Sequence, residues 1–385
     1  MRISIVMGFF LPVPPLAGGA TEKIWFQLAR TMAEAGHDIT LVSRRWPGLP
    51  DHETSGTLTH LRVPGMNHTA SLARNLVLDF IWGLRVARRL PPADVVICNT
   101  VSLPAYLRRL RPAAGRVAVV LGRMPKGQMR VYGAVDLVLA TSPAVAARAL
   151  LEKPDLADRT HVFPNPIDWS RHAHASNETL GHSQQGPLTV GFVGRIHPEK
   201  GLDLLLAAAA QLVAQRPALP PWRLELVGPW TIPQGGAGEP YRDTLLATYG
   251  PKLGDRFSFR GPEFDADQLA RRYAGMDIFC YPSLADQGET FGIAIAEAMA
   301  AGAAPVVSAL TCFHELVRDG DTGLVFDHTA PDAVDRLADT LARLLLDSTL
   351  RRELAARAQA HAKQYDFAAS ARAVLALLAP LASGK

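Results

Sequence analysis

At 385 residues the chain has the length of two ordinary domains, and its 48% hydrophobic and 20% charged residues describe a globular enzyme rather than a disordered or fibrous chain. No apolar run approaches the length needed to span a bilayer, and no basic run is interleaved with aromatics as in a nucleic-acid binder. The net charge of +4 is uneven: residues 1–185 hold 21 Lys/Arg against 13 Asp/Glu, and residues 186–385 hold 19 against 23.

Residues 1–12, M-R-I-S-I-V-M-G-F-F-L-P, read as a buried first strand over 3–7 and not as a signal peptide, given one charge, an early Pro and no small-residue cleavage site. A helix follows over 22–36 and a strand over 38–43. The stretch 72–90 is helical, with Phe80, Ile81 and Trp82 on it and Arg85, Arg88 and Arg89 near its end. Its plainer reading is a solvated face opposite a packed aromatic side. The basic half also suits an anionic lipid surface or an acidic acceptor. Strands at 94–98, 116–121 and 137–140 alternate with helices, which implies a doubly wound parallel sheet. Residues 171–187, rich in His, Ser, Asn, Gln and Gly, read as a linker. The alternation restarts with strands at 188–193, 224–227, 257–260, 278–281 and 305–308, before a long Ala/Leu/Arg helical region. Two Rossmann-like domains, 1–170 and 188–361, are expected, with ligands at the carboxyl ends of their strands.

Two segments carry chemistry. Residues 190–202 read V-G-F-V-G-R-I-H-P-E-K-G-L, a buried strand running through Gly194 into a turn with Arg195 and, five residues on, Lys200. A guanidinium fork and an ammonium converging at a strand end form a metal-free clamp for a diphosphate. Residues 288–308 read G-E-T-F-G-I-A-I-A-E-A-M-A-A-G-A-A-P-V-V-S. Here Glu289 lies in a polar loop and Glu297, eight residues on, in an Ala-rich helix. A loop carboxylate beside the amides of a helix start suits a polyol attached to a phosphate.

Other clusters have plainer explanations. Asp265-Ala266-Asp267 precedes Q-L-A-R-R-Y and reads as a helix cap rather than a metal-binding pair. His172, His174 and His182 lie in linker composition without acidic partners at ligand spacing. Cys98, Cys280 and Cys312 are odd in number and far apart, so buried free thiols in a reducing cytoplasm are expected. No G-x-G-x-x-G follows a strand, which disfavours a nicotinamide cofactor.

Taken with Gly18-Gly19, P-N-P-I-D at 164–168 and D-G-D-T-G-L-V-F at 319–326, these motifs make the chain resemble the retaining glycosyltransferases of family 4, glycosyl transferases group 1. The resemblance implies the GT-B fold: α/β, two Rossmann-like doubly wound parallel-sheet domains facing a central cleft, with the helix at about 362–385 returning to the first. It implies transfer of a sugar from a nucleotide diphosphate sugar, uridine first among the bases, to a hydroxyl of a polysaccharide, glycolipid or small metabolite. No cofactor or metal is expected. By the same resemblance Arg195 and Lys200 stabilise the departing diphosphate and Glu289 contacts the donor sugar. Glu297 takes the ribose hydroxyls, and the amides of Thr290, Phe291 and Gly292 hold sugar and phosphate. Gly18 and Gly19 let the first loop approach the diphosphate. Gly122 stands where the family often carries a His, with Arg123 as a substitute contact. The expected setting is cytoplasmic, with the inner membrane face as an alternative station and no nucleic acid as partner. A nucleotide-sugar epimerase, a sugar-phosphate synthase of the same fold and an idle nucleotide-sugar binder are the rival readings.

Overall fold

The computed structural model describes residues 1–180, 186–286 and 288–384. The chain divides into two compact units, Met1–Pro166 with Phe367–Lys385, and Ile167–Asp366.

In the first unit, β1 (Arg2–Val6), β2 (Asp38–Arg44), β3 (His52–Ser55), β4 (Leu58–Val63), β5 (Val95–Cys98), β6 (Arg116–Leu121), β7 (Leu137–Ala140) and β8 (Thr160–Val162) form one sheet in the order β3-β4-β2-β1-β5-β6-β7-β8. Its central strands are continuous apolar runs because both faces are covered, by α1 (Ala20–Glu34), α2 (Leu72–Ala87), α3 (Leu103–Leu110) and α4 (Pro143–Glu152). Trp82 is fully buried, and its indole N–H donates to the Met7 carbonyl (3.0 Å) at the end of β1. One pairing departs from the expected parallel sheet. β3 runs antiparallel to β4 across the Gly56-Thr57 turn. The sequence H-E-T-S has no apolar residue to signal a strand, and all four positions are exposed, as suits a blunted sheet edge. The C-terminal helix, Phe367–Ala382, belongs to this unit and packs on α1, burying Ala371, Val374 and Leu378 along one stripe.

The second unit contains β9 (Leu188–Val193), β10 (Trp222–Val227), β11 (Phe257–Arg260), β12 (Ile278–Tyr281), β13 (Ala304–Ser308) and β14 (Leu324–Phe326), ordered β11-β10-β9-β12-β13-β14 and parallel throughout. Its helices include α5 (Trp169–Leu180), α6 (Leu202–Gln215), α7 (Glu239–Leu253), α8 (Ala266–Ala274) and α9 (Ile293–Ala300). α5 corrects the linker expected at 171–187. Asp168 caps it, its carboxylate accepting the Arg171 amide (3.1 Å), and the helix packs on α8 and α9. Its buried stripe is His172, Ala173, Ala175 and Ser176, residues too small or too polar to register as an apolar face. The rest of that expected linker, residues 181–185 with His182, lies outside the described residues, apart from Gly186 and Pro187 ahead of β9. The two ends of the unit lie side by side: the Ile167 amide donates to the Tyr365 carbonyl (2.8 Å), and Ile167 pairs in parallel with Asp366.

Candidate active site

Each sheet reverses its strand order once, between β1 and β5 in the first unit and between β9 and β12 in the second. Loops that leave the carboxyl ends of two such strands diverge to opposite faces and open a crevice between them. In the second unit those loops carry Arg195 to Gly201 after β9, and Pro282 to Gly292 after β12.

Lys200 ends a short 3-10 turn, Pro198–Lys200. Gly201 follows at φ 67°, and a Cβ there would stand 2.0 Å from the Pro282 carbonyl oxygen, so only glycine lets the loop press against the end of β12 before α6 begins. This drives Lys200 inward, where it is 6% exposed and pairs directly with Glu289, itself 7% exposed. The same Glu289 oxygen, Oε1, accepts from the Tyr281 hydroxyl (3.1 Å) and from Ser283 Oγ (3.0 Å). Lys200 Nζ also lies 5.4 Å from the centre of the Tyr281 ring. Burial, then the Glu289 charge, pushes the Tyr281 phenol well above its ordinary range, so it remains a donor. The Ser283 hydroxyl is shared with the Glu199 carbonyl (3.2 Å), and Ser308 Oγ donates to the Ser283 carbonyl (2.6 Å).

Arg195 lies outside this buried knot, with 45% of its side chain exposed. Its Nη1 donates to the Gly235 carbonyl (2.8 Å) and its Nη2 to Glu199 Oε1 (2.6 Å). Lys200 Nζ is 4.0 Å from that same oxygen. Glu199 therefore stands between the two cations and keeps them close despite their like charge. An arriving anion competes with Glu199 for donors that are already gathered. The His197 ring accepts the Glu199 amide (3.3 Å), a turn-stabilising role.

Glu297 has a different set of neighbours. It lies on α9, with its Oε2 accepting from the Tyr273 hydroxyl (3.0 Å) on α8 and its Oε1 3.9 Å from His172 Nε2 on α5. Thr290, Phe291 and Gly292 lead into α9. Phe291 is buried edge-on against Tyr365 (5.3 Å), and Gly292 is the helix cap at φ 96°. Gly194 joins β9 to the Arg195 turn.

In the first unit, Gly18 and Gly19 precede α1 at φ 81° and 93°. A Cβ on Gly19 would stand 2.2 Å from Glu22 Oε2, so the glycine makes room for a carboxylate folded back over the helix start. Glu22 is buried and its carboxyl is raised by that burial, offset in part by its own amide and by the charge of Arg123. Gly122 and Arg123 are exposed after β6, and a Cβ on Gly122 would meet nothing within 4 Å.

The structure thus brings Arg195, Lys200 and Glu289 together and seats Glu297 on other partners. Sequence reasoning passed over Glu199, Tyr281, Ser283 and Tyr273, and set His172 aside as a linker histidine. Of these only Glu199 adjoins a residue it did single out, Lys200, so proximity along the chain was an available signal for that one alone. Asp265 caps α8, accepting the Asp267 and Gln268 amides (3.0 and 2.8 Å). Among the described residues no group of three or more His, Cys, Asp or Glu is arranged to hold a metal. The three cysteines are buried and free, and burial raises their thiols, that of Cys312 to about 12.

Residues 18–171 match the family model described as Glycosyltransferase Family 4, and residues 181–361 match that of Glycosyl transferases group 1. A phosphatidyl-myo-inositol mannosyltransferase of Mycolicibacterium smegmatis is 28% identical over 382 residues, covering 95% of this chain and 90% of its own. A D-inositol 3-phosphate glycosyltransferase of Nocardia farcinica is 32% identical over 257 residues, 65% of this chain and 53% of its own. Among solved structures, a sucrose-phosphate synthase of Thermosynechococcus elongatus superposes with a TM-score of 0.78 at 23% identity, covering all of both chains.

Proposed function

Because the chain belongs to glycosyltransferase family 4, retaining enzymes of the GT-B fold that move a sugar from a nucleotide diphosphate sugar to a hydroxyl, we propose that the Arg195–Glu199–Lys200–Glu289 cluster is where the donor's diphosphate and sugar bind. The observation that carries this reading is the pair of cations gathered on one Glu199 oxygen at the strand-order reversal. In the reaction the bond from the anomeric carbon to the β-phosphate oxygen breaks, and its electron pair stays on the phosphate. Arg195 and Lys200 stabilise that growing charge in a partly desolvated site. The acceptor oxygen bonds to the same face of the anomeric carbon, and its proton passes to the departing phosphate oxygen. Glu289 holds donor-sugar hydroxyls and Glu297 the ribose. The amides of Thr290, Phe291 and Gly292 hold the phosphate and sugar, and Gly18, Gly19 and Arg123 are further donor contacts. A uridine diphosphate sugar is the donor of first choice. A thermal-shift screen of UDP, GDP, ADP and their sugar conjugates tests this, since a ligand of the folded state raises the melting point. One nucleotide series is expected to shift it, with the shift lost in Glu297→Ala. No shift with any of them would overturn the donor site.

The acceptor we infer is a hydroxyl on a lipid headgroup, met at the inner face of a membrane. Among the described residues no helix is long and apolar enough to cross a bilayer. The outer face of α2, however, presents Leu72, Leu76, Val77, Phe80 and Ile81 to solvent, so of the three aromatic and aliphatic neighbours at 80–82 only Trp82 packs inward. This corrects the expected packed aromatic side, of which Phe80 and Ile81 are exposed. Arg88 and Arg89 are exposed just beyond it, and Arg109 and Leu110 are exposed at the end of the adjoining α3. Apolar side chains with arginines beyond their helix end suit an anionic bilayer surface. The mannosyltransferase relative is named for a phospholipid acceptor, which supports the same reading. The protein is expected to sediment with phosphatidylglycerol vesicles but not with phosphatidylcholine vesicles. Val77→Ser/Phe80→Ser should cut the bound fraction by about tenfold or more, the scale of two lost apolar insertions. Failure of the wild type to bind anionic vesicles would move the acceptor into solution.

A further inference from the structure

Glu297 is more closely held than a ligand-binding carboxylate on an exposed helix face would be. Tyr273 is fully buried, and its ring is fixed by Phe279 (centroids 5.7 Å, tilted) and by His172 (5.5 Å, edge to face). Its hydroxyl donates to Glu297 Oε2 at 3.0 Å. His172, 4% exposed, closes the other side, its Nε2 3.9 Å from Oε1. Its second nitrogen, Nδ1, is buried with no hydrogen-bond partner. An orphaned imidazole nitrogen costs free energy that a Leu or Phe filling the same space would avoid, so packing alone does not account for a histidine here. Meanwhile the Glu297 side chain keeps 23% of its surface exposed, leaving one edge of the carboxylate within reach of solvent.

The charges follow a simple pattern. Burial lowers the His172 pKa to about 4, so the ring is neutral at pH 7. Burial first, and the neighbouring Glu297 charge second, push the Tyr273 phenol far above its ordinary range, so it remains protonated. On these two sides Glu297 is therefore flanked by neutral groups. A Lys or Arg in that place would form an ion pair and compete with an incoming diol for the carboxylate. A phenol instead fixes the orientation through one hydrogen bond from a neutral donor.

We propose that Tyr273 and His172 are positioning residues for the ribose: they hold the Glu297 carboxylate in the single orientation that accepts the vicinal hydroxyls, and thereby set discrimination between ribo- and deoxyribonucleotides. The inference rests on the reading of Glu297 as the ribose contact. His172 reaches the site from α5, a helix in a stretch whose composition resembles a linker.

The test is calorimetric binding of UDP against 2′-deoxy-UDP, and of GDP against 2′-deoxy-GDP, to the full chain. A hydrogen bond to a charged group leads us to expect the wild type to prefer the ribo form by on the order of ten- to a hundredfold. Glu297→Ala should abolish the preference. Tyr273→Phe, which removes one hydroxyl and keeps the ring contacts, should narrow the preference by about three- to tenfold. His172→Phe, a second variant that keeps the edge contact, should narrow it as well. A merely structural role would weaken both nucleotides together and leave the ratio intact. If Glu297→Ala loses the preference while both other variants keep it, the positioning role is overturned and the ribose contact stands. If Glu297→Ala keeps it, or the wild type binds neither nucleotide pair, the ribose reading fails and this inference fails with it.

Discussion

Replacing Lys200 by Met is expected to lower turnover by about 10²–10³-fold, the scale of removing one charge-stabilising donor from a transition state. The same change should weaken folding. Lys200 and Glu289 are both almost fully buried and paired with each other, and removing one partner of such a pair leaves the other uncompensated, a loss of about 3–5 kcal/mol. Tyr281 and Ser283 still donate to Glu289 in the variant, so the lower end of that range is expected. The double variant Lys200→Met/Glu289→Gln separates the two effects. It should regain much of the lost stability in urea titrations while remaining catalytically dead. Wild-type turnover in Lys200→Met would remove the lysine from the chemistry. A double variant no more stable than the single one would show that the pair does not carry the stability loss.

Gly201→Ala is the second large effect. The residue sits at φ 67°, and the new methyl carbon would stand 2.0 Å from the Pro282 oxygen and 3.0 Å from the Pro282 carbon. Backbone has no rotamer to yield, so the loop carrying Lys200 must move. The left-handed conformation alone costs about 1–2 kcal/mol for a residue with a Cβ. A displacement on the order of 1 Å at a reacting group costs about a hundredfold in rate. The expected result is a lower melting point and kcat/KM reduced by about a hundredfold or more. Gly133→Ala is the control, since a Cβ there meets nothing within 4 Å and should change neither. Full activity in Gly201→Ala would mean that the tight approach of this loop to β12 is not what aims Lys200.

Much of this architecture can be read from residue patterns because buried parallel strands declare themselves. Leu188–Val193, Arg116–Leu121 and Ile278–Tyr281 are predominantly apolar, largely β-branched or aromatic stretches bounded by Gly, Pro or polar residues, and they form where such stretches predict. The His52–Ser55 edge strand is polar on both faces, so its pairing depends on β4 rather than on its own pattern. α5 escaped for a related reason, since its buried stripe of His, Ala and Ser looks like a flexible tether until α8 and α9 are packed against it. At the site, Arg195 and Lys200 stand out by their spacing at the end of a strand. Glu199 does not, because a glutamate in a polar turn is unremarkable until both cations are seen to reach one of its oxygens. Tyr281 ends a strand and reads as core, yet its hydroxyl points at Glu289. Tyr273 and Glu297 are 24 residues apart on different helices, and no local pattern links them.

The adjacency of Ile167 and Asp366 has a practical corollary. The second unit is one uninterrupted stretch whose first and last residues are bridge partners, while the first unit is assembled from two pieces of chain. Topologically the former is an insert and the latter its host. Two cuts at neighbouring points therefore release the whole second unit as one piece, with no strand order to alter. The corresponding stretch of a relative can be grafted into this host through two junctions that lie side by side.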